Sequence, residues 1–354
     1  MKKAVVLMIA ACLLLGCKNT GTVRPSATGT IYELLVVMPK APYSSAIVDS
    51  LGADMPCLPQ KEAYFDVTTV TPQLFDNILK PSRNILYVDI NPERYTTNKI
   101  VYMSNVYSQP QAYCRLQLRS EDEVAEFWEE NASAIRSWFV RQELMRQAKF
   151  NKGFCNFRGR EVVQKELGVD IVVPNDYELI LDTAAADLHF IWFCNNKGSM
   201  RRDLVVYSYP YTDAKTFSTR YLIDKRNEVM RQFVSGSLDG SYMGTEEGQK
   251  DLVPQMQGIS VQDNQYAAEL RGLWKMLNGA AMGGPFVSHT RLDEISQRIV
   301  TAEVFIYAAG QKKRNALRQA EAILYSMRMP EEINKLKEVT VSAEEAQPQN
   351  PADE

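Results

Sequence analysis

Residues 278–294 read NGAAMGGPFVSHTRLDE, and the interpretation of this stretch decides the fold of the C-terminal half. It gathers paired glycines, a proline, a serine, a histidine and two carboxylates, as an active site often does. Ser288 and His289 are adjacent, however, and adjacent side chains of a strand point to opposite faces. They would not come within the ~3 Å that a nucleophile and its base require. We therefore predict a tight turn that leads into a β-hairpin, and no catalytic pair.

Gly283 and Gly284 have a structural use in such a turn. Glycine permits positive φ and close approach of the backbone, and a following proline starts a strand without a donor. The predicted hairpin pairs PFVSHT (285–290) with QRIVTAEVFIYA (297–308).

The rest of the C-terminal half, residues 151–335, predicts further hairpins and helices. Apolar residues recur at helical spacing in QYAAELRGLWKMLN (265–278), which predicts an amphipathic helix. The other expected elements are a helix closed by Gly168 (160–168), strands at 169–174, 189–194 and 203–211, helices over about 213–235 and 312–328, and an irregular segment over 236–262.

The N-terminal half, residues 30–150, predicts strands and two helices. Strands are expected at 31–39, 83–90, 99–107 and 112–118, the last two as antiparallel neighbours of 83–90, with helices at 43–54 and after Ser120. Ser120 and Glu123 have the spacing of a capping box. The predicted fold class is α+β, with mostly antiparallel sheets and helices packed on one face.

A weak internal echo suggests that a strand-helix unit was duplicated. LVVYSYPYTDAK…DKRNEVMRQ and VFIYAAGQKKRNALRQ each run from a strand through a loop to Lys-Arg-Asn and a helix. The tail, residues 336–354, is acidic and poor in apolar residues, so we expect it to be disordered.

The first residues predict export and a lipid anchor. Lys2 and Lys3 precede an apolar run that is too short to cross a bilayer and that ends in Leu-Leu-Gly-Cys, which resembles a bacterial lipobox. Residues 1–16 would be the signal peptide, Cys17 the lipidated residue and 17–29 a tether. Lys18 stands where inner-membrane lipoproteins carry Asp, which favours the outer membrane, facing the periplasm. Ile9-Ala10-Ala11-Cys12 also fits the lipobox pattern loosely, but it leaves too short an apolar core. The alternative to a lipobox is a plain secretory signal with an incidental cysteine.

Composition narrows the function classes. The net charge is −3, whereas nucleic-acid binding usually needs a basic face, and two histidines in 354 residues lower the expectation of a histidine metal site. Cys57, Cys114, Cys155 and Cys194 would be buried thiols or disulfides, and their spacing does not select a pairing.

The candidate binding residues are basic. Lys312, Lys313 and Arg314, with Arg318, open the last predicted helix, where side chains and free N–H groups could gather an anion. A solvated helix end is the plainer alternative. His289 is the remaining candidate. No spacing in the sequence assembles a catalytic constellation or a metal site, and none implies a cofactor.

The C-terminal third also resembles a known family. MGGPFVSH (282–289) and EVFIYAAGQKKRNALRQAEAILYSM (303–327), with LPQKEAYFDV (58–67) and SRNILYVDI (82–90), resemble an uncharacterised lipoprotein family of Bacteroidota, domain of unknown function family 4837. A proline expected after IYA is Ala309 here. The resemblance implies a lipoprotein in the cell envelope and supplies no catalytic residues.

Two functions follow from these observations. The first is a lipid-anchored envelope protein, attached to the membrane through Cys17, that binds a partner protein or small ligand without catalysis. The alternative is a periplasmic hydrolase with a site near residues 283–293.

Overall fold

The computed structural model describes residues 24–345, which form two sheets and six helices. The N-terminal half contains β1 (Glu33–Val37), α1 (Ser44–Leu51), β2 (Asp66–Val70), β3 (Asn84–Ile90), β4 (Lys99–Ser104), β5 (Ala112–Leu118) and α2 (Val124–Gly153). The C-terminal half contains α3 (Phe157–Leu167), β6 (Glu178–Ala185), β7 (Leu188–Asn195), β8 (Arg201–Pro210), α4 (Thr219–Phe233), β9 (Tyr242–Glu246), β10 (Gln255–Ser260), β11 (Tyr266–Leu277), β12 (Gly283–Asp293), β13 (Arg298–Tyr307), α5 (Arg314–Leu324) and α6 (Pro330–Glu345).

The first sheet has the order β2-β1-β3-β5-β4 and is mostly parallel. Only β4 runs antiparallel, and it pairs with β5 at the edge, so the expectation that β4 and β5 are antiparallel neighbours of β3 is wrong. The reason is burial. Four of the seven residues of β3 are buried, which is typical of an inner parallel strand, whereas no residue of β4 is buried.

Helices α1 and α2 cover this sheet with an apolar stripe. Ile47 from α1 and Trp128, Ile135 and Phe139 from α2 pack in one core with the sheet. The stripe of α2 was expected, but the capping box was not formed. The helix begins at Val124, and the carboxylate of Glu123 accepts hydrogen bonds from the side chains of Asn98, at 2.7 Å, and Arg119.

The second sheet is antiparallel, with the order β10-β11-β12-β13-β8-β7-β6 and β9 also paired to β11. The predicted β12–β13 and β7–β8 hairpins are confirmed by their register. The α+β class is therefore confirmed, and its antiparallel character belongs to this larger sheet.

Helices cover both faces of the second sheet, which differs from the expected single covered face. On β8, Leu204 and Val206 pack with α3 and α5, whereas Val205 and Tyr207 pack with α4. A strand in this position has apolar residues at both odd and even positions, because each face of the sheet packs against a helix. The two echoed units are both strand-helix pairs, β8–α4 and β13–α5, but their helices lie on opposite faces.

Several expected elements have a different structure. The segment 265–278 is strand β11 and not a helix, and residues 236–262, expected to be irregular, include β9 and β10. Residues 169–174 form isolated bridges and not a strand, and residues 336–345 continue helix α6. Ser26 and Thr28 form isolated bridges with Gln109 and Ser82, which lie just before β5 and β3. Residues 1–23, with the predicted signal and Cys17, and 346–354 lie outside the described residues.

The four cysteines that the structure describes are free thiols. Cys57, Cys114 and Cys194 are buried, and Cys155 is partly exposed. This agrees with the expectation of buried thiols. Within residues 24–345, no helix is long and apolar enough to cross a membrane.

Gly283 and Gly284 lie in strand β12, and neither has the positive φ that we expected. The expectation of close backbone approach is confirmed. A Cβ on Gly283 would lie 2.7 Å from the carbonyl oxygen of Trp274, and one on Gly284 would overlap that of Ile306. The same Ile306 oxygen accepts a 3.1 Å hydrogen bond from Trp274 Nε1, so it has little freedom to move.

We predict that Gly284→Ala destabilises the protein by about 2 kcal/mol or more, because the added methyl forces two paired strands apart. Urea unfolding measures the difference. Gly153→Ala is the matched control, since nothing lies within 4 Å of that Cβ at the end of α2, and its stability should stay equal or rise slightly. Equal midpoints for the Gly284 variant and the wild type would show that the sheet accommodates a side chain there.

Candidate functional site

Helix α5 lies between the two halves and is buried around most of its circumference. Nine of its eleven residues are buried. Leu317 packs with the second sheet, and Ala322 packs in the core of the first half. The sequence favours this placement because alanines on several sides let neighbouring elements approach closely. Side chains of this helix therefore contact both halves, and some of them line the space between the halves.

The N-terminus of α5 is occupied by a carboxylate from the first half. Backbone N–H groups of Lys313 and Arg314 donate to Glu62 Oε1 and Oε2, at 2.6 and 3.0 Å. A helix N-terminus favours an anion because its first N–H groups lack partners within the helix. The anion that we expected at this position is thus supplied by the chain itself.

The basic run does not form one surface. Lys313 Nζ donates to Gln60 and to the Gln311 carbonyl, and the Arg314 guanidinium pairs with Asp66 at 2.7 Å. Lys312 is exposed. Arg318, one turn further along α5, lines a cleft between the halves.

This interdomain cleft has a volume of about 470 Å³. One wall is helix α2, and the other consists of β10, β11 and α5. The polar and charged lining residues are Ser133, Arg136, Ser137 and Arg141 from α2, and Gln255, Gln257, Ser260, Glu269, Arg271, Arg318, Glu321 and Tyr325 from the second half. The cleft therefore joins side chains that lie far apart in the sequence.

A chain of buried ion pairs forms the floor of the cleft. Arg271 donates to Glu269 Oε1 and Oε2, at 2.7 and 3.0 Å, and its Nη2 also pairs with Glu321. Glu321 accepts two further bonds from Arg318 Nη1, at 3.0 and 2.9 Å. Positions 269 and 271 share one face of β11, because strand side chains alternate. Arg271 Nη1 is buried and has no hydrogen-bond partner among the described residues.

His289 lies behind this floor and is fully buried. Its Nε2 is 3.3 Å from Glu269 Oε2, since the two residues are opposite each other in the β11–β12 register. The ring packs edge-on against Tyr325, with centroids 4.9 Å apart, and its Nδ1 has no partner in the described part of the chain. His289 thus supports the floor and does not line the cleft.

Glu269 and Arg271 are both charged at neutral pH. Burial by itself would raise the pKa of Glu269, but Arg271 and His289 more than offset it and hold the pKa well below its usual range. Burial would likewise lower the pKa of Arg271, and the carboxylates of Glu269 and Glu321 raise it instead.

The lining of the cleft carries an excess of positive charge. Four arginines face two glutamates among the described lining residues, a difference of two. Arg136 is held by the Ser50 carbonyl at 3.0 Å and lies over the Tyr64 ring at 4.5 Å. With the unpartnered Arg271 Nη1, this arrangement favours a small anion.

The stretch 283–293 does not bring its serine, histidine and first aspartate together. His289 faces α5, and Ser288 faces α4, where its register neighbour Glu303 pairs with Arg226 at 2.7 Å. Asp293 bonds Arg298 at 3.0 Å and accepts from backbone N–H groups of the turn that follows. The structure therefore holds Ser288, His289 and Asp293 in three separate environments.

Sequence reasoning found Arg318 and His289 but missed Glu269, Arg271 and Glu321. One signal was available. Glu269 and Arg271 interrupt an otherwise apolar segment, and two charges at a spacing of two share a face if the segment is a strand. The segment was interpreted as a helix, and that interpretation placed them on different faces.

We predict that Glu269→Gln destabilises the protein by about 3 kcal/mol at pH 7, because it leaves Arg271 and His289 buried with one partner fewer. The pKa of Glu269 is lowered in the folded state, so its contribution is full above the unfolded value of 4.5 and is lost as pH falls further. The difference between wild type and variant should therefore shrink below about pH 4.5. Denaturant titrations across pH measure it.

Glu129→Gln on the exposed side of α2 is the control, and its effect should stay within about 0.5 kcal/mol at every pH. A Glu269 variant as stable as this control would show that the ion chain adds nothing to folding.

Comparison with known proteins gives a family but no activity. Residues 157–326 match the family model described as Domain of unknown function (DUF4837), and residues 27–152 match Domain of unknown function (DUF8532). No curated protein matches the chain. The solution structure of cyanobacterial PsbP (CyanoP) from Synechocystis sp. PCC 6803 is similar over 46% of this chain and 86% of that one, with 10% identity and a TM-score of 0.30. Residues 157–326 therefore match the DUF4837 family that the sequence resembles, and residues 27–152 match a second family of unknown function.

Proposed function

We propose that this protein is a lipid-anchored envelope protein that binds a small anionic ligand in the interdomain cleft without transforming it. The observation that carries the proposal is Arg271, buried at the floor with one guanidinium nitrogen unpartnered among the described residues. The 470 Å³ volume lies in the range of small-molecule sites. Because the lining carries more positive than negative charge, we expect the ligand to be an anion.

The chemistry of the floor favours binding over catalysis. A general base is most effective when its pKa lies near the working pH. Glu269 is far from that condition, because Arg271 and His289 hold its pKa low. A carboxylate that is already engaged by these partners contributes to positioning more than to proton transfer.

The anchor is supported by the sequence alone. Leu14-Leu15-Gly16-Cys17 follows an apolar run, and the family resemblance implies a lipoprotein. Lys18 in place of Asp favours the outer membrane, with the protein on its periplasmic side. The described fold begins at residue 24, so seven positions separate it from Cys17.

We predict that Cys17→Ser abolishes acylation, so that the protein no longer fractionates with membranes through a lipid anchor. Metabolic labelling with an alkyne fatty acid measures acylation, and Cys12→Ser is the control that keeps it. Continued acylation of the Cys17 variant would assign the anchor to Cys12.

We predict that citrate or inorganic phosphate binds in the cleft and that Arg141→Ala weakens binding about tenfold, because a charge-assisted hydrogen bond is lost. Arg141 is exposed at the wall of the cleft, so its removal should leave the fold intact. Isothermal titration calorimetry measures the affinity.

Lys312→Ala is the matched control. It removes the same charge from an exposed position outside the cleft lining, and affinity should change less than about twofold. Equal weakening by both variants would indicate nonspecific attraction. The absence of heat with either anion would contradict the proposed ligand class.

A further inference from the structure

The α2–α3 turn region, residues 145–158, consists of the end of α2, the short turn after it and the start of α3, and it exposes large apolar side chains. Met145, Phe150, Phe154 and Phe157 are 57%, 59%, 53% and 68% exposed. The rings of Phe150 and Phe154 pack against each other with centroids 4.8 Å apart, on the outside of the molecule. Exposed apolar clusters of this kind mark surfaces that contact a partner or a membrane.

The same turn is basic. Lys149, Lys152 and Arg158 are exposed beside the phenylalanines. No Asp or Glu occurs between Glu143 and Glu161. The segment itself therefore combines exposed aromatic side chains with three cations and has no acid, and the nearby Asp176, which lines a cavity with Phe150 and Phe154, accepts a hydrogen bond from Asn195. Such a combination matches the interface of an anionic bilayer, where rings enter the boundary region and cations meet phosphates.

The first described residues lie next to this turn. Gln109 N donates to the Pro25 carbonyl at 2.9 Å, and Ser26 bridges to Gln109. Pro110, which follows Gln109, lines a 660 Å³ cavity together with Phe150 and Phe154.

The length of chain before the fold fixes how far this face can be from an anchor. Seven positions separate Cys17 from Arg24, a span of at most about 25 Å when fully extended. An acyl group on Cys17 would therefore keep the face that carries the turn close to the bilayer.

We infer that residues 145–158 form a membrane-contact surface that inserts Phe150, Phe154 and Phe157 into the interface of an anionic bilayer. This orientation in the cell rests on the proposed anchor at Cys17. The insertion itself does not, because it depends only on side chains of the turn.

The test uses the chain from Lys18 to Glu354, which keeps every described residue and lacks Cys17. Co-sedimentation with phosphatidylcholine–phosphatidylglycerol vesicles should show binding, and pure phosphatidylcholine should bind more weakly. Joint Phe150→Ser, Phe154→Ser and Phe157→Ser substitution should reduce partitioning at least about tenfold, because the inserted apolar area is lost. Thermal unfolding confirms that the variant folds.

A matched control removes equally exposed apolar side chains elsewhere. Leu74, Ile78 and Ile295 are 66%, 80% and 60% exposed, and their joint replacement by Ser should leave partitioning within about twofold. Lys149→Gln, Lys152→Gln and Arg158→Gln should each weaken binding to the anionic vesicles about fivefold, less at high salt.

A fluorescent probe reports insertion directly. Phe154→Trp should shift its emission to the blue with anionic vesicles, and Ile78→Trp should not. The inference is overturned if the wild-type chain stays in the supernatant, or if the triple Phe variant binds as well as the control. A dimer in solution that the Phe substitutions dissociate would also overturn it, in favour of contact with a second copy. None of these results depends on acylation, which the Cys17→Ser experiment tests separately.

Discussion

The carboxylate of Glu62 at the N-terminus of α5 is the interaction on which the arrangement of the two halves depends. Both carboxylate oxygens accept backbone N–H groups of the helix, and Glu62 is only 8% exposed. Free N–H groups at a buried helix end cost free energy unless an acceptor fills them. Glu62 comes from the first half and α5 from the second, so satisfying the helix also fixes one half against the other.

Helix α5 then transmits this arrangement to the cleft. Because the N-terminus of α5 is fixed, Arg318 and Glu321, one and two turns further along the helix, are held against the Arg271–Glu269 ion pair of β11. Burying these charges costs free energy, because each ion loses its hydration. The network is stable only because the charged groups pair and form hydrogen bonds with each other. The exception in the floor is Arg271 Nη1, which has no hydrogen-bond partner among the described residues and belongs to a side chain that lines the cleft.

The sequence predicts the hairpins, the long stripe of α2 and helix α5, because each has one dominant periodicity. It fails at β11, where apolar residues lie on both faces of a strand covered by helices on both sides. Tyr266, Leu270, Leu273 and Trp274 then happen to match helical spacing. Ala267, Ala268 and Gly272 also lack the branched and aromatic side chains that favour strands. The sequence also does not predict the candidate site, because two of its residues lie in β11. A second reason is that Arg271 and Glu321 are fifty positions apart and belong to no motif.

The position of Glu62 and α5 in the chain has a consequence for biosynthesis. Lys313 N is 251 positions beyond its acceptor, and Ala322 completes the apolar core of the first half. A chain that emerges from its N-terminus therefore presents most of the first half long before the helix that closes it. Contacts of such high sequence separation are slow to form. The core of the first half stays incomplete until nearly the whole chain has been made, so its folding is coupled to the end of synthesis and not to its beginning.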